Sequence, residues 1–319
     1  MVFKKVGGRR KFGYGRSLEY ATSRALLDGY TEGRFGTRRA YASRFNNFIA
    51  FLRSNRVYDF CNVSSYHVKE YAESLYGRVL LGEFSLSYAV DCLSAVNCVM
   101  TIMRDDNLLW ISPRQVLGPR LFLRQDAPET LDLRVVEAAA LYLKENGEDR
   151  LAGVLRLCAY FGLRYREASL LDVKSALRSA RRSGEVTVSK GTKGGRKRTI
   201  QVGLVGIEVL RSLTRVAAPA TNLIPLEWTF KKWQGYCYRT WRKYASQVGI
   251  DNRFKELRTA FACRLYEDVT GAPAPVLAGG RVVDRKRDRV ARLLIADALG
   301  HGREQIVGCY IGTTRRAPS

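Results

Sequence analysis

Pro113, Pro119 and Pro128 fall within sixteen residues, and they constrain the fold more than any other feature of the chain. Each removes a backbone donor and disfavours helix at the residue before it. Helical apolar periodicity runs on both sides of this stretch, so the chain reads as two bodies with a connection between them. At 319 residues there is room for two cores. The link is placed at 114–130, with one domain at 17–113 and another at 131–319.

The first domain reads as all helix. Thr37 is a candidate cap for a helix through Tyr41, Phe45, Phe48, Ile49 and Leu52, whose other face carries Arg38, Arg39 and Arg44. A second helix is expected from Ser64–Ser65 through Leu75, and a third over 85–104, broken by Asp105-Asp106-Asn107. Residues 1–16 hold Lys4, Lys5, Arg9, Arg10, Lys11 and Arg16 with no acid, and they read as a flexible basic arm. The second domain has helical patterns over 133–146, 151–161, 166–171 and 229–247. The aromatic rings of the last are assigned to the core rather than to base stacking. Glu185–Ser189 and Thr199–Val202 read as the two strands of a hairpin, whose tip is Lys190-Gly191-Thr192-Lys193-Gly194-Gly195-Arg196-Lys197-Arg198. The expected class is therefore mainly α with a small antiparallel β-sheet.

Charge narrows the function. Lys plus Arg number 54 against 30 Asp plus Glu, a net +24 spread through a chain that is 46% hydrophobic. That excess points to a polyanion, with nucleic acid as the default partner. No run of about 18 uncharged apolar residues is present to span a membrane. The basic N-terminus has no apolar stretch behind it, as a secretory signal requires. Seven scattered cysteines without a C-x-x-C, and only His67 and His301 as histidines, argue against a zinc site and for thiols packed in a reducing cytoplasm. No clustered carboxylates suggest a bound metal, and no Walker A pattern is present.

Phosphodiester cleavage without a metal needs a nucleophile, cations on the nonbridging oxygens, and an acid for the leaving oxygen. Four segments supply them: Gly162-Leu163-Arg164 with Glu167 close behind, the Lys193-Gly194-Gly195 tip, Lys255-Glu256-Leu257-Arg258, and Leu299-Gly300-His301 followed nine residues later by Tyr310. In this order the set resembles the tyrosine recombinase (phage-type integrase) family. The resemblance covers roughly 30–312. It implies that Arg164 and Arg258 grip the scissile phosphate, with Glu167 orienting the site. It makes Lys193 the general acid, with Lys190 as the other register, and His301 a phosphate ligand. Tyr310 is then the nucleophile that forms a 3′-phosphotyrosyl link.

Lys255 departs from the pattern, standing where histidine is usual; it can donate to a phosphate oxygen but is a poor base at neutral pH. The 43 residues from Arg258 to His301 are longer than usual and include a basic run, Arg281 to Arg292, read as an inserted loop that contacts DNA or a neighbouring subunit. Only nine residues follow Tyr310.

The resemblance further implies a two-domain C-shaped clamp on double-stranded DNA, with the first domain as a helical core-binding module. It implies a homotetramer in the synaptic complex, no cofactor, a cytoplasmic, nucleoid-associated location, and integration or excision of a mobile element. Accessory DNA-bending proteins are the other partners it allows. Lys4, Lys5, Arg9, Arg10, Lys11, Arg38, Arg39, Arg44, Lys190 and Arg196 are the expected DNA contacts. The alternatives are a type IB topoisomerase, a hairpin telomere resolvase, and a DNA-binding regulator without activity.

Overall fold

The computed structural model describes residues 10–30, 33–120, 122–128, 131–250 and 253–316. Lys4, Lys5 and Arg9 lie outside them. The chain divides into two compact units, Met1–Leu121 and Phe122–Ser319.

In the first unit, Ser17 accepts from the Tyr20 N–H and starts α1 (Leu18–Gly29), which is followed by α2 (Phe35–Ser54), α3 (Ser65–Leu80) and α4 (Leu86–Arg104). α2 begins at Phe35, two residues before the expected Thr37 cap. Its three- and four-residue spacing puts Phe45, Phe48, Ile49 and Leu52 inward, and α4 returns Leu93, Val96 and Met100 against them. α4 is long and apolar enough by composition to cross a membrane, yet half of that window is buried in the core and Asp91 interrupts it. Asp91 pairs with Arg44 at 2.8 Å and Arg120 at 3.3 Å.

Two expectations change here. The expected arm extends to residue 16, but Lys11 and Tyr14 are buried. The Lys11 N–H donates to Asp59 Oδ1 at 2.7 Å and the Tyr14 hydroxyl to Asp28 at 2.8 Å, so two carboxylates fasten this stretch to the unit. The expected linker starts at 114, but Pro113 opens a short helix, α5 (Pro113–Leu117), whose Leu117 is buried. Proline suits a first helical position, where its missing N–H has no partner to lose.

The second unit runs α6 (Leu133–Glu145), α7 (Asp149–Phe161), α8 (Tyr165–Leu170) and α9 (Val173–Ser183) into β1 (Glu185–Val188) and β2 (Arg198–Gln201). The strands are antiparallel, with Val186 opposite Ile200 and Val188 opposite Arg198. Then come α10 (Leu204–Ala217), α11 (Phe230–Ala245), α12 (Phe254–Thr270), α13 (Arg285–Ala298) and α14 (Gly308–Ile311). On α11, Trp233, Trp241 and Tyr244 are buried, and Tyr238 stays 40% exposed.

Much of the expected inserted loop is helix. Asp284 caps α13 by accepting from the Lys286 and Arg287 N–H groups, and Ala291, Ile295 and Ala296 bury its inner face. The basic run masked this spacing because Arg292, one of its members, is itself buried. α12 stands between two apolar clusters. Phe254 and Leu257 belong to the larger one with α6–α11, whereas Ala262, Cys263 and Tyr266 belong to a smaller one with α13 and α14. Arg258 sits at the junction.

Candidate active site

α7 ends at Gly162, whose φ of +59° is the left-handed cap that glycine adopts without strain. A Cβ there would meet Phe261 Cδ1 at 2.4 Å, so α12 approaches this turn closely. The turn throws Arg164 onto the N-terminus of α8, where Glu167 accepts from the Arg164 N–H at 2.8 Å and from its Nη1 at 2.7 Å.

Glu167 is fully buried and organises the site. Besides Arg164 it takes a two-pronged contact from Arg198, at 2.9 and 2.6 Å, and lies 3.8 Å from Arg258 Nη1. Burial alone would raise its pKa; the Arg198 hydrogen bonds and the surrounding guanidiniums outweigh this and hold it below the ordinary carboxylate value.

Arg258 is 2% exposed. Its Nη1 donates to the Gly162 carbonyl, its Nη2 to the Leu299 carbonyl at 2.5 Å, and its Nε to the Tyr310 hydroxyl at 3.3 Å. One planar fork thus joins the α7 turn, the α13 end and α14.

His301 Nε2 lies 3.1 Å from the Tyr310 hydroxyl and 3.4 Å from Arg258 Nη2. A guanidinium only donates, so Nε2 is an acceptor there and the ring proton sits on Nδ1. Burial first, then the charges of Arg258, Arg164, Arg198 and Lys193, push the His301 pKa down to about 4. At neutral pH the imidazole is uncharged.

Arg164, Arg258, His301 and Tyr310 therefore converge. Lys193 is exposed at the hairpin tip, near enough to bear on His301. Lys190 instead lines a groove of about 610 Å³ beside α9 with Arg178 and Arg182. Gly191 lets the hairpin approach α8, since a Cβ would sit 2.9 Å from the Arg166 carbonyl oxygen. Lys255 is exposed on the first turn of α12, one turn before Arg258. Arg196 lies across Gly302, where a Cβ would collide with its guanidinium. Of the other expected DNA contacts, Arg10 and Arg39 are exposed, Arg38 stacks 4.7 Å over Phe35, and Arg44 is held by Asp91.

Arg198 was absent from the expected set. The expected strand begins at Thr199 and leaves Arg198 in the hairpin tip, whereas β2 begins at Arg198 and its alternation turns that side chain inward with Ile200, where a cation requires a carboxylate.

Residues 130–263 match the family model described as Integrase. The second unit carries an integrase domain. The match ends before His301 and Tyr310, which the fold itself returns to the integrase arginines. No curated protein matches the chain.

Among solved structures, the chain is similar to a lambda integrase dimer bound to a COC' core site, at TM-score 0.60 and 16% identity over 93% of this chain and 77% of that one. It is similar to the XerH site-specific recombinase bound to palindromic difH substrate in a post-cleavage complex, at 0.58 and 18%, over 92% and 79%. The Tn1549 transposon integrase in complex with transposon right end DNA gives 0.56 and 12%, over 90% and 93%. The tyrosine-recombinase fold is thus shared along nearly the whole chain, mainly α with one small antiparallel sheet.

Proposed function

We infer that this integrase is a site-specific DNA recombinase that cuts and rejoins duplex DNA through Tyr310, for integration or excision of a mobile element. The observation that carries the reading is the Tyr310 hydroxyl, held between neutral His301 and the Arg258 guanidinium within its own chain.

A scissile phosphate beside this hydroxyl meets Arg164 and Arg258 as donors to its nonbridging oxygens. The Tyr310 oxygen, oriented by its hydrogen bond to His301 Nε2, attacks phosphorus and releases its proton to solvent water, and His301 serves as a ligand of the phosphate. Lys193 protonates the departing 5′-oxygen from the hairpin tip. The phosphotyrosyl ester keeps the bond energy, so rejoining by a 5′-hydroxyl reverses the same steps. Lys255, one helical turn from Arg258, donates to a phosphate oxygen. Exposed Arg39 and Arg10 of the helical unit, with Arg196 of the hairpin, make phosphate contacts, and copies of the chain assemble as a tetramer on paired sites. Lys255 also favours a second reading, a hairpin telomere resolvase, which uses the same chemistry and differs in its product.

The test is covalent trapping on nicked suicide duplexes made from the DNA flanking its own gene, without metal. Wild type is expected to give a denaturant-resistant adduct and Tyr310→Phe none, at equal DNA binding. An adduct in Tyr310→Phe, or binding without any adduct in wild type on these and on random genomic fragments, refutes the reading.

A further inference from the structure

Two buried arginines take no part in the chemistry above. Arg281 and Arg292 are 8% and 4% exposed, and both are spent on the chain just behind the nucleophile. Arg292 Nη2 donates to the Thr313 carbonyl at 2.8 Å and its Nη1 to that of Gly312 at 3.4 Å. Arg281 Nε donates to the Thr314 carbonyl at 3.2 Å and its Nη1 to that of Val283, and the Arg281 main-chain N–H donates to the Arg315 carbonyl at 2.7 Å. Asp288, also buried, takes Arg292 Nε at 3.0 Å and the Tyr266 hydroxyl at 2.9 Å, which fixes the fork. The Val276 N–H adds a bond to the Ile311 carbonyl at 2.9 Å.

Burying a guanidinium costs several kcal/mol unless hydrogen bonds replace its water. Here three of the guanidinium bonds go to main-chain carbonyls two to four residues beyond Tyr310, and the Arg281 main-chain N–H takes the carbonyl of the fifth. What is gripped is therefore the path of the backbone; the side chains of Thr314, Arg315 and Arg316 stay exposed. α14 is only four residues long and cannot hold its own direction, so its orientation depends on the segment that follows.

We propose that Arg281 and Arg292 are positioning residues for cleavage: they tie residues 312–315 to α13 and the 276–283 segment of the same chain, so that Tyr310 serves the arginines of its own subunit. This rests on the recombinase reading, and it makes the segment after Tyr310 a tether within one subunit rather than an arm lent to a neighbour.

Arg281→Met, Arg292→Met and Arg292→Lys would be compared with wild type for DNA affinity, melting temperature and adduct rate on the suicide duplex. Both methionine variants are expected to cleave about tenfold or more slowly at unchanged affinity, with Arg292→Lys recovering part of the rate. Arg281→Met lacks the Asp288 partner and keeps the test open if Arg292→Met folds poorly. A mixture of Tyr310→Phe with Arg164→Ala should give no adduct, because neither chain holds a complete site. Adding Arg281→Met to the Arg164→Ala chain should release its tyrosine and produce an adduct in trans. Wild-type rates in Arg281→Met, or an adduct from the unreleased mixture, overturn the proposal. Hydrogen exchange at the Arg281 and Val276 amides, which donate to the Arg315 and Ile311 carbonyls, is read without any catalysis. Rapid exchange there in wild type removes the tether itself, whereas slow exchange without an adduct places the failure in the recombinase reading, and the positioning role falls with it.

Discussion

Glu167 is one carboxylate serving three guanidiniums, and its replacement is the most informative single change. Glu167→Gln keeps the shape but leaves Arg198 buried without a counter-charge, an expected loss of about 3–5 kcal/mol in denaturant unfolding. His301 carries the pH dependence. Its pKa falls from 6.5 in the unfolded chain to about 4 in the fold, so between those values the unfolded state binds a proton that the native state refuses. Its contribution to stability is complete above pH 6.5 and is lost as pH drops towards 4. The lowered Glu167 value adds a loss of the same sign at more acid pH. Melting temperature should therefore fall on acidification through this window, and His301→Gln should flatten the upper part of the curve. An unchanged slope in His301→Gln would contradict the assignment.

At the scale of elements, the turn between α7 and α8 sets the site. Gly162→Ala meets both a left-handed backbone and the Phe261 ring, and is expected to cost about 2–4 kcal/mol by thermal unfolding, with cleavage falling as Arg258 loses its carbonyl partner. The Gly-Leu-Arg string was legible in the sequence because the cap, the apolar plug and the cation are adjacent in the chain. So was the hairpin, whose alternating strands and glycine-rich tip are local signals. Arg198 escaped because its partner is 31 residues away and only strand register turns it inward. α13 escaped because its charge hid its apolar spacing, and Arg292 reads as a surface residue until the Asp288 and tail contacts are known. The buried end of the expected arm went unseen for a similar reason: Asp59 and Asp28 reach Lys11 and Tyr14 from other elements. Local patterns carried the helices and the motif residues. Long-range pairing carried the rest.

At the scale of the molecule, two separate cores imply two cooperative bodies, since every buried residue of the first cluster lies before 121 and those of the other two after 122. A net charge of +24 should make DNA affinity fall steeply with salt, and a plot of log affinity against log salt measures the number of phosphates engaged. The Glu167 cluster has a consequence for heat as well. Three guanidiniums around one carboxylate leave two positive charges facing each other in a largely dry place, a spring compressed by folding. An anion seated among them offsets that repulsion, so DNA binding should raise the heat resistance of this unit. A ligand present at a hundred times its dissociation constant adds about 2.7 kcal/mol, or ~5–10 °C for a unit of this size. Scanning calorimetry with short duplex DNA should show that rise in the integrase unit, shrinking in Arg164→Ala. A bound phosphate would complete the charge balance that Glu167 alone leaves uneven.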